Sequence, residues 1–285
     1  MIDVDFCINS DKAIITEYKN HCYFMPHILL RKYISHYTIT YSYSLNGSTN
    51  NEPSDELTII PDGSGCIIFE FDGRELDGIC WGPTSKLVRV KQVDSSHDER
   101  MFFIEFLPGG LHALTGIHQK ELKDMQCPFY DIDSKLSKSL RNAIEFSKTA
   151  DELVFKVDSI LIQAMEGNRK NLRYILSVID KIKHTGGTIP IKKLAESEYI
   201  SERQLNRVFE ETIGLSPKMF SRLVRINKAI KTYKDCIMSN FTYIAYESGF
   251  FDQSHLIREF NEFCGTTPSN FIKNMSVFYN EPFKY

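Results

Sequence analysis

The sequence predicts an α+β protein, with a small cupin-like β-barrel domain first, linker helices next and an all-α domain last. Short aromatic and β-branched segments separated by Gly and Pro fill the first 131 of its 285 residues. Apolar residues recur at helical spacing from residue 132 onward. A helical unit near the C-terminus occurs twice. These observations divide the chain into residues 1–131, 132–170 and 171–275, followed by a tail of 276–285.

Composition places the chain in the cytoplasm and away from membranes. A chain of this length fits about two domains. It has no apolar run of about 18 residues, which a membrane span would need. Its acidic N-terminus lacks the basic and then apolar pattern of a signal peptide. The seven cysteines are scattered and odd in number, which is not the pattern of a disulfide framework or a metal site.

The β-rich half shows the pattern of short strands and turns that is typical of a small barrel or sandwich. The predicted strands are 37–43, 57–60, 66–71, 87–90 and 101–106. The turn signals between them are Asn46-Gly47, Pro61-Asp62-Gly63, Asp72-Gly73 and Gly82-Pro83. Short strands with such punctuation predict a barrel or sandwich. A small barrel holds at most one small ligand, so this half is the candidate effector domain.

No enzyme signature accompanies this barrel. Its histidines form no H-x-H pair, and the chain has no nucleophile elbow, phosphate loop or dinucleotide fingerprint. We therefore predict no catalytic residue, no metal site and no cofactor. Trp81 with Tyr37, Tyr41 and Tyr43 can line a ring-binding pocket or belong to an ordinary core. The effector residues stay unassigned.

Residues 132–170 change to helical periodicity. The recurring apolar positions are Leu136, Leu140, Ala143, Ile144, Leu153, Val157, Ile160, Leu161 and Ala164. A short helix at 111–114 precedes them, after the turn Pro108-Gly109-Gly110. The longer helices have three possible roles: packing on the barrel, forming a dimer contact or linking the two halves.

The repeated unit is the strongest signal in the chain. Its two copies begin at Ser201 and Asp252, and each continues with Leu, Arg-x-Phe and Gly-x-x-Pro at identical spacing. The matched pairs are Leu205 and Leu256, Arg207 and Arg258, Phe209 and Phe260, Gly214 and Gly265, and Pro217 and Pro268. Two copies at one spacing indicate a duplicated structural unit.

A helical wheel separates the first copy into an apolar face and a polar face. Leu205, Val208, Phe209 and Thr212 fall on the buried side. Arg203, Asn206 and Arg207 fall on the opposite side. Ser201 is the predicted N-cap, and a short helix with Leu194-Ala195 precedes it, which is helix-turn-helix geometry. Arg suits guanine edges and Asn suits adenine edges, so this face is the first candidate DNA-reading face.

The second copy repeats this arrangement with different polar residues. Ser254, His255 and Arg258 point away from the apolar face, and Gln253 lies in the exposed first turn. Asp252 is the predicted N-cap, so both caps lie where helix N-termini meet phosphates. A long helix beginning at residue 217 connects the copies.

Charge is distributed unevenly between the two halves. The chain has 34 Lys and Arg and 37 Asp and Glu, for a net charge of −3. Residues 170–273 hold 16 basic and 11 acidic residues, a net of +5, which leaves 18 basic and 26 acidic residues elsewhere, a net of −8. The basic half is the one that carries the repeat, as expected for a half that faces nucleic acid.

The second half resembles the DNA-binding domain of the AraC/XylS family of bacterial transcription regulators. The residues that carry the resemblance are Leu194-Ala195, Ser201, Leu205, Arg207, Phe209, Gly214, Ser216-Pro217, Phe220, Arg225, Ala229, Ile244-Ala245, Gly249-Phe250, Asp252, Leu256, Arg258, Phe260, Gly265 and Thr267-Pro268. The resemblance implies two helix-turn-helix units joined by a long helix, contacting successive major-groove segments on one face of DNA. It places Arg203, Asn206 and Arg207 at the first reading helix, and Gln253, Ser254, His255 and Arg258 at the second.

The first half resembles an uncharacterised sensor-type domain found ahead of such modules. That resemblance implies a regulatory role and names no ligand. We predict a regulator that binds double-stranded promoter DNA, with RNA polymerase, a small-molecule effector and a second copy of the chain as candidate partners. Two alternatives stay open: a barrel enzyme fused to the DNA-binding helices, and a helical half that binds protein.

Overall fold

The computed structural model describes residues 13–15, 21–40, 56–59, 61, 63–71, 76–91, 100–166, 173–235 and 240–273. Within these ranges the first half is mainly β and the second half is helical, so the predicted α+β organisation is confirmed. Several sequence predictions lie outside the described residues. These are Tyr41, Tyr43, the turns Asn46-Gly47 and Asp72-Gly73, and the tail 276–285.

The described part of the first half contains nine strands, more than the five predicted. They are β1 Ala13–Ile15, β2 His21–Phe24, β3 Ile34–Thr40, β4 Glu56–Ile59, β5 Cys66–Phe71, β6 Leu76–Trp81, β7 Val88–Lys91, β8 Arg100–Phe106 and β9 Gln126–Pro128. Strands β3, β4, β5, β7 and β8 correspond to predicted segments. Strand β6 was not predicted, because its Asp77 and Gly78 interrupt the apolar pattern.

Seven strands form one antiparallel sheet in the order β1-β2-β3-β8-β5-β6-β9, and β4 pairs with β7 in a separate two-stranded sheet. Pairing of β3 with β8 places His36 opposite Glu105, and pairing of β5 with β8 places Cys66 opposite the same Glu105. In the described residues the large sheet is open, since its end strands β1 and β9 are paired on one side only.

One face of this sheet is the core of the first half. Tyr37, Ile39, Phe69, Phe102 and Ile104 are buried there, at alternating positions of their strands. The Tyr37 hydroxyl donates to Asp158 Oδ1 at 2.8 Å. Burial of the hydroxyl and, to a smaller extent, the Asp158 carboxylate raise the pKa of Tyr37. Tyr37 is thus a core residue and not part of an open pocket, whereas Trp81 is half-buried on the other face.

Twelve helices follow or interrupt the strands in the described residues. They are α1 Gly110–Thr115, α2 Gln119–Leu122, α3 Phe129–Ile132, α4 Ser134–Phe146, α5 Ala150–Met165, α6 Arg173–His184, α7 Ile191–Ser197, α8 Glu202–Ile213, α9 Pro217–Asp235, α10 Phe241–Glu247, α11 Gln253–Cys264 and α12 Pro268–Lys273. None of them is long and apolar enough to cross a membrane.

Helices α4 and α5 pack on the sheet. Leu140, Ile144, Leu153 and Leu161 belong to the same buried cluster as the strand residues. Of the three roles left open for this segment, packing on the β-domain is therefore observed. Helices α6 to α12 share a second buried cluster, whose largest fully buried members are Phe209, Phe220, Phe260 and Phe263.

Candidate nucleic-acid interface

The first helix-turn-helix unit consists of α7, a turn and α8. Ser201 caps α8, since its Oγ accepts from Gln204 N–H at 3.1 Å. Leu205 and Phe209 are fully buried against α9, as the apolar face of the wheel predicts. Gly214 ends the helix in the left-handed conformation, with φ of 82°. The helix is thereby fixed at both ends and along its buried face.

The opposite face of α8 carries the first set of candidate reading residues. Arg203 and Arg207 are exposed, and Asn206 is half-buried with its Nδ2 donating to the Glu202 carbonyl at 2.8 Å. Arg207 Nη1 lies 3.2 Å from Glu211 Oε1, one turn away. An exposed pair of this kind contributes only about 0.3–0.5 kcal/mol, so the guanidinium can exchange Glu211 for an external acceptor at little cost.

The turns of the two units share one backbone hydrogen bond and one left-handed residue. Ile200 N–H donates to the Ala195 carbonyl at 3.1 Å, and Phe250 N–H donates to the Ala245 carbonyl at 2.8 Å. The residue before each N–H donor has a left-handed backbone conformation: Tyr199 with φ of 57° in the first unit, and Gly249 with φ of 78° in the second. Tyrosine in this conformation is strained, whereas glycine is not.

Replacing Tyr199 with Gly is expected to raise the free energy of unfolding by about 0.5–1 kcal/mol. The left-handed conformation costs a non-glycine residue about 1–2 kcal/mol, and the entropy that glycine loses on folding offsets part of this gain. The Tyr199 side chain is 97% exposed, so its removal loses no packing. Urea denaturation followed by far-ultraviolet circular dichroism measures the change. Tyr199→Ala is the control and should unfold as the wild type does; an equal gain from Ala would show that relief of backbone strain is not the cause.

The second unit consists of α10, a turn and α11. Asp252 caps α11, since its Oδ1 accepts from His255 N–H at 2.7 Å. Gln253, Ser254 and Arg258 are exposed on one side. Thr242 Oγ1 lies 3.4 Å from Gln253 Oε1, so the first turns of α10 and α11 are adjacent. Three of the four residues predicted for this reading helix therefore lie together on its exposed N-terminal half.

His255 is oriented differently from its three companions. Its ring packs edge-on against Phe250 with the centroids 5.4 Å apart, and its Nδ1 accepts from Phe251 N–H at 3.4 Å. Its Nε2 lies 3.8 Å from Glu259 Oε1, and only 29% of the side chain is exposed. The contacts of His255 are thus mainly with the preceding turn and with its own helix.

Helix α9 connects the two units through two arginines. Arg222 forms a bidentate pair with Glu259 of α11, with Nε to Oε2 at 2.7 Å and Nη2 to Oε1 at 3.0 Å, and it also contacts Glu262. Its guanidinium lies 4.7 Å from the centroid of the Phe263 ring. Burial lowers the pKa of Arg222, but the bonds to both carboxylates outweigh burial, so the pKa lies above its ordinary value.

Arg225 contacts the turn between α6 and α7 and the turn of the second unit. Its Nη1 donates to the Gly187 carbonyl at 2.7 Å, and its guanidinium lies 5.7 Å from the centroid of the Phe250 ring. Burial lowers its pKa. Sequence reasoning did not single out Arg222 or Glu259. The sequence pattern that could have identified them is a charged residue within an otherwise apolar helical stripe, basic at Arg222 and acidic at Glu259.

The β-domain packs directly against the first unit. A Cβ placed on Gly63 would lie 3.2 Å from Phe220 Cδ2 and 3.4 Å from Ile213 Cγ2. A Cβ placed on Gly214 would lie 2.5 Å from Pro83 Cγ and 3.0 Å from the Gln119 carbonyl oxygen. Helix α2, which begins at Gln119, lies against α8. The contact therefore occurs at the C-terminal end of the first reading helix, opposite the end that carries Arg203.

The β-domain also reaches the second unit at the equivalent place. Leu87 packs against the helical core, and a Cβ on Gly265, which ends α11, would lie 3.0 Å from Leu87 Cδ2. Both α8 and α11 thus end against the β-domain. The described residues contain no group of three or more His, Cys, Asp and Glu side chains that could hold a metal ion.

Residues 194–274 match the protein family described as "Helix-turn-helix domain". They form an AraC-type helix-turn-helix domain. This AraC-type domain is also the part that aligns with an uncharacterized HTH-type transcriptional regulator of Haemophilus influenzae, at 31% identity over 87 residues. That alignment spans 30% of this chain and 29% of the relative, so the chain covers less than a third of the protein that it matches.

Solved structures and a second family give further similarities. A probable AraC family transcriptional regulator from Rhodopseudomonas palustris is similar over 35% of this chain and 94% of its own, with 26% identity and a TM-score of 0.32. ToxT from Vibrio cholerae is similar over 78% of this chain and all of its own, with 11% identity and a TM-score of 0.44. Residues 23–128, ahead of the AraC-type domain, match the family described as "Domain of unknown function (DUF6597)".

Proposed function

We propose that the chain is a transcription regulator that binds promoter DNA in the cytoplasm through α8 and α11. The observation that carries the proposal is the pair of capped, solvent-facing helices with polar N-terminal halves, each preceded by a shorter helix and a tight turn. In such units the second helix enters the major groove with its N-terminal residues on the bases. Two units fixed to one connecting helix fit two successive groove segments.

The residues that would read the bases differ between the units. For α8 we propose Arg203, Asn206 and Arg207, which can bond to guanine and adenine edges. For α11 we propose Gln253, Ser254 and Arg258. His255 was predicted to contact DNA as well, and its contacts with Phe250 and Phe251 favour a supporting role. We also propose that Ser201 and Asp252 lie near DNA phosphates, since they cap the N-termini of both helices and phosphates bind favourably at helix N-termini.

Replacing Arg207 with Ala is expected to weaken operator binding by about 1–3 kcal/mol, or about fivefold to 150-fold, and to relax the preference at one base pair. The measurement is titration of the intact protein against an operator selected from random fragments, and against its single-base variants at fixed salt. Arg141→Ala is a matched control, because Arg141 also pairs with a glutamate one turn away, on α4. It should bind like the wild type.

Salt dependence separates base reading from phosphate binding. If Arg207 contacts only a phosphate, the variant would bind every DNA sequence equally more weakly, and the slope of log affinity against log salt would fall by about one. That outcome would contradict the assignment of Arg207 as a base-reading residue. Absence of binding to any fragment, even at low salt, would contradict the proposed function itself and favour a helical half that binds protein.

We further propose that the β-domain controls the reading helices in response to a small molecule. The face of the sheet opposite its core carries the polar residues His36, Thr38, Thr40 and Glu105, each less than a tenth exposed, with half-buried Trp81 on the same face. Such a polar and aromatic lining suits a small polar ligand. A ligand raises the melting temperature of the intact protein by mass action, so thermal melting against a metabolite panel tests the proposal.

Dimerisation through the same domain is a second route of control. Phe146 and Phe155 are largely exposed beside a groove between α4 and α5, and exposed aromatic side chains of this size are typical of contact surfaces. Sedimentation at several protein concentrations measures whether the chain dimerises. Phe155→Asp should shift the equilibrium to monomer if this groove is the contact.

A further inference from the structure

Phe251 is a large apolar residue with almost no contact to the rest of the chain. It lies in the turn of the second helix-turn-helix unit, directly before the N-cap Asp252, and 92% of its surface is exposed. Its neighbour Phe250 is buried in the helical core. Burial of an aromatic ring is favourable, and the exposed Phe251 ring at the N-terminal end of α11 is available for contact with another molecule.

Comparison of the two turns shows that Phe251 is an additional residue. In the first unit Ile200, whose N–H bonds to Ala195, is followed at once by the cap Ser201. In the second unit Phe250 takes the place of Ile200, and Phe251 then separates it from the cap. The inserted ring therefore has no counterpart in the first unit. It stands at the N-terminal entrance of α11, the end that enters the major groove in such units.

The backbone of Phe251 is held in place by the reading helix. Its N–H donates to Nδ1 of His255 at 3.4 Å, and the His255 ring is itself packed against Phe250. Adjacent to it, Asp252 caps the helix through His255 N–H at 2.7 Å. The position from which the Phe251 ring leaves the chain is thus fixed relative to Gln253 and to the rest of α11.

We propose that Phe251 determines specificity by packing its ring against the 5-methyl group of a thymine in the second half-site. The proposal rests on the DNA-binding function proposed above. An apolar side chain cannot read hydrogen-bonding edges, and the thymine methyl is the apolar feature that the major groove offers to it. The second unit also has half-buried Ile257 where the first has Asn206, so it lacks a polar reader at that position. A methyl contact would supply the missing discrimination.

Exchange of thymine for deoxyuridine tests this contact, because it removes only the 5-methyl group. The intact wild-type protein is titrated against its selected operator and against operators with one such exchange at each thymine of the second half-site. We expect one position at which the exchange weakens binding about fourfold, the effect of losing one buried methyl group. Phe251→Ala should lose a similar factor on the thymine operator and become insensitive to the exchange at that position.

Two controls isolate the contribution of the Phe251 ring. Tyr130→Ala removes another exposed ring, on α3 of the β-domain, and should keep the sensitivity of the wild type. Helicity measured by circular dichroism should be equal in all variants, since Phe251 packs against little. Three results would overturn the inference while leaving the proposed function intact: no sensitive thymine, sensitivity retained by Phe251→Ala, or unchanged affinity of Phe251→Ala on all DNA. The last would assign the ring to a protein partner.

Discussion

Replacing Arg222 with Met is expected to lower the free energy of unfolding of the helical domain by about 3 kcal/mol. Arg222 neutralises Glu259, which is only 8% exposed, and stacks on Phe263. Removing one partner of a buried ion pair costs about 3–5 kcal/mol, because the other charge remains buried without compensation. The Arg222 side chain is 19% exposed, so partial access to water places the effect at the lower end.

The single tryptophan of the chain helps to assign this loss to one half. Trp81 lies in the β-domain, so its fluorescence follows that domain, whereas circular dichroism at 222 nm follows the helices of both halves. In urea, the dichroism transition of Arg222→Met should move to lower denaturant concentration. Glu262→Gln is the control: Glu262 also contacts Arg222 but is exposed, so its loss should cost less than about 1 kcal/mol.

The double variant Arg222→Met with Glu259→Met distinguishes the effect of an unpaired buried charge from the effect of lost packing on Phe263. Replacing a whole buried ion pair with apolar residues of similar volume is often neutral, so this variant should regain most of the lost stability. A double variant as unstable as Arg222→Met would show that the stacking on Phe263, and not the buried carboxylate, accounts for the effect. Operator affinity of the single variant should also fall, because Glu259 lies on the second reading helix.

Replacing Gly214 with Ala is expected to destabilise the intact protein by about 2–3 kcal/mol. The alanine would have to adopt the φ of 82° that Gly214 has, and its Cβ would lie 2.5 Å from Pro83 Cγ. The left-handed conformation costs about 1–2 kcal/mol, and the crowding in a packed contact adds about 1 kcal/mol or more. The variant should also loosen the contact between the β-domain and the first reading helix.

Gly265 provides a matched control at the equivalent position of the second unit. It also ends its helix in the left-handed conformation, with φ of 65°, but is exposed, and its Cβ would meet only the flexible end of Leu87 at 3.0 Å. Gly265→Ala should therefore cost only the conformational part, about 1–2 kcal/mol. Pro83→Ala in the Gly214→Ala background should recover part of the difference between the two, because the Gln119 carbonyl oxygen would still lie 3.0 Å from the new Cβ. Equal losses at both glycines would contradict a tight contact of the β-domain at Gly214.

The helical domain could be predicted in detail because each of its signals is local. Caps, glycine stops and apolar periodicity act within one or two turns, so Ser201, Asp252, Gly214 and Gly265 were identifiable from spacing alone. Duplication then doubled every signal. The exposed faces of α8 and α11 follow from the same periodicity, and the residues predicted there are exposed apart from Asn206 and His255, which are half-buried.

His255 shows the limit of a helical wheel. The wheel fixes the direction of a side chain around its own helix, but it contains no information on the turn that folds back over the first residues. Phe250 and the Phe251 N–H occupy that space, and the imidazole turns toward them. The exposed ring of Phe251 was missed for the same reason, since only comparison of the two folded turns shows it to be an insertion.

The β-domain was harder to predict because its contacts join distant parts of the chain. The α+β class and five of the nine described strands followed from β-branched runs and turns, but β1, β2, β6 and β9 were missed, and the order β3-β8-β5 is not a local property. Pairing of that kind brings His36 and Cys66 to opposite sides of Glu105, although these residues are far apart in sequence.

The sequence by itself determined that this protein has a β-rich half followed by two capped helical units with polar faces. Those features depend on the spacing of neighbouring residues, which a single chain displays directly. Only the tertiary structure decided that Arg222 joins the connecting helix to the second reading helix through Glu259, and that Pro83 and Leu87 press against Gly214 and Gly265. These contacts join residues from separate elements, and packing in three dimensions alone selects such partners.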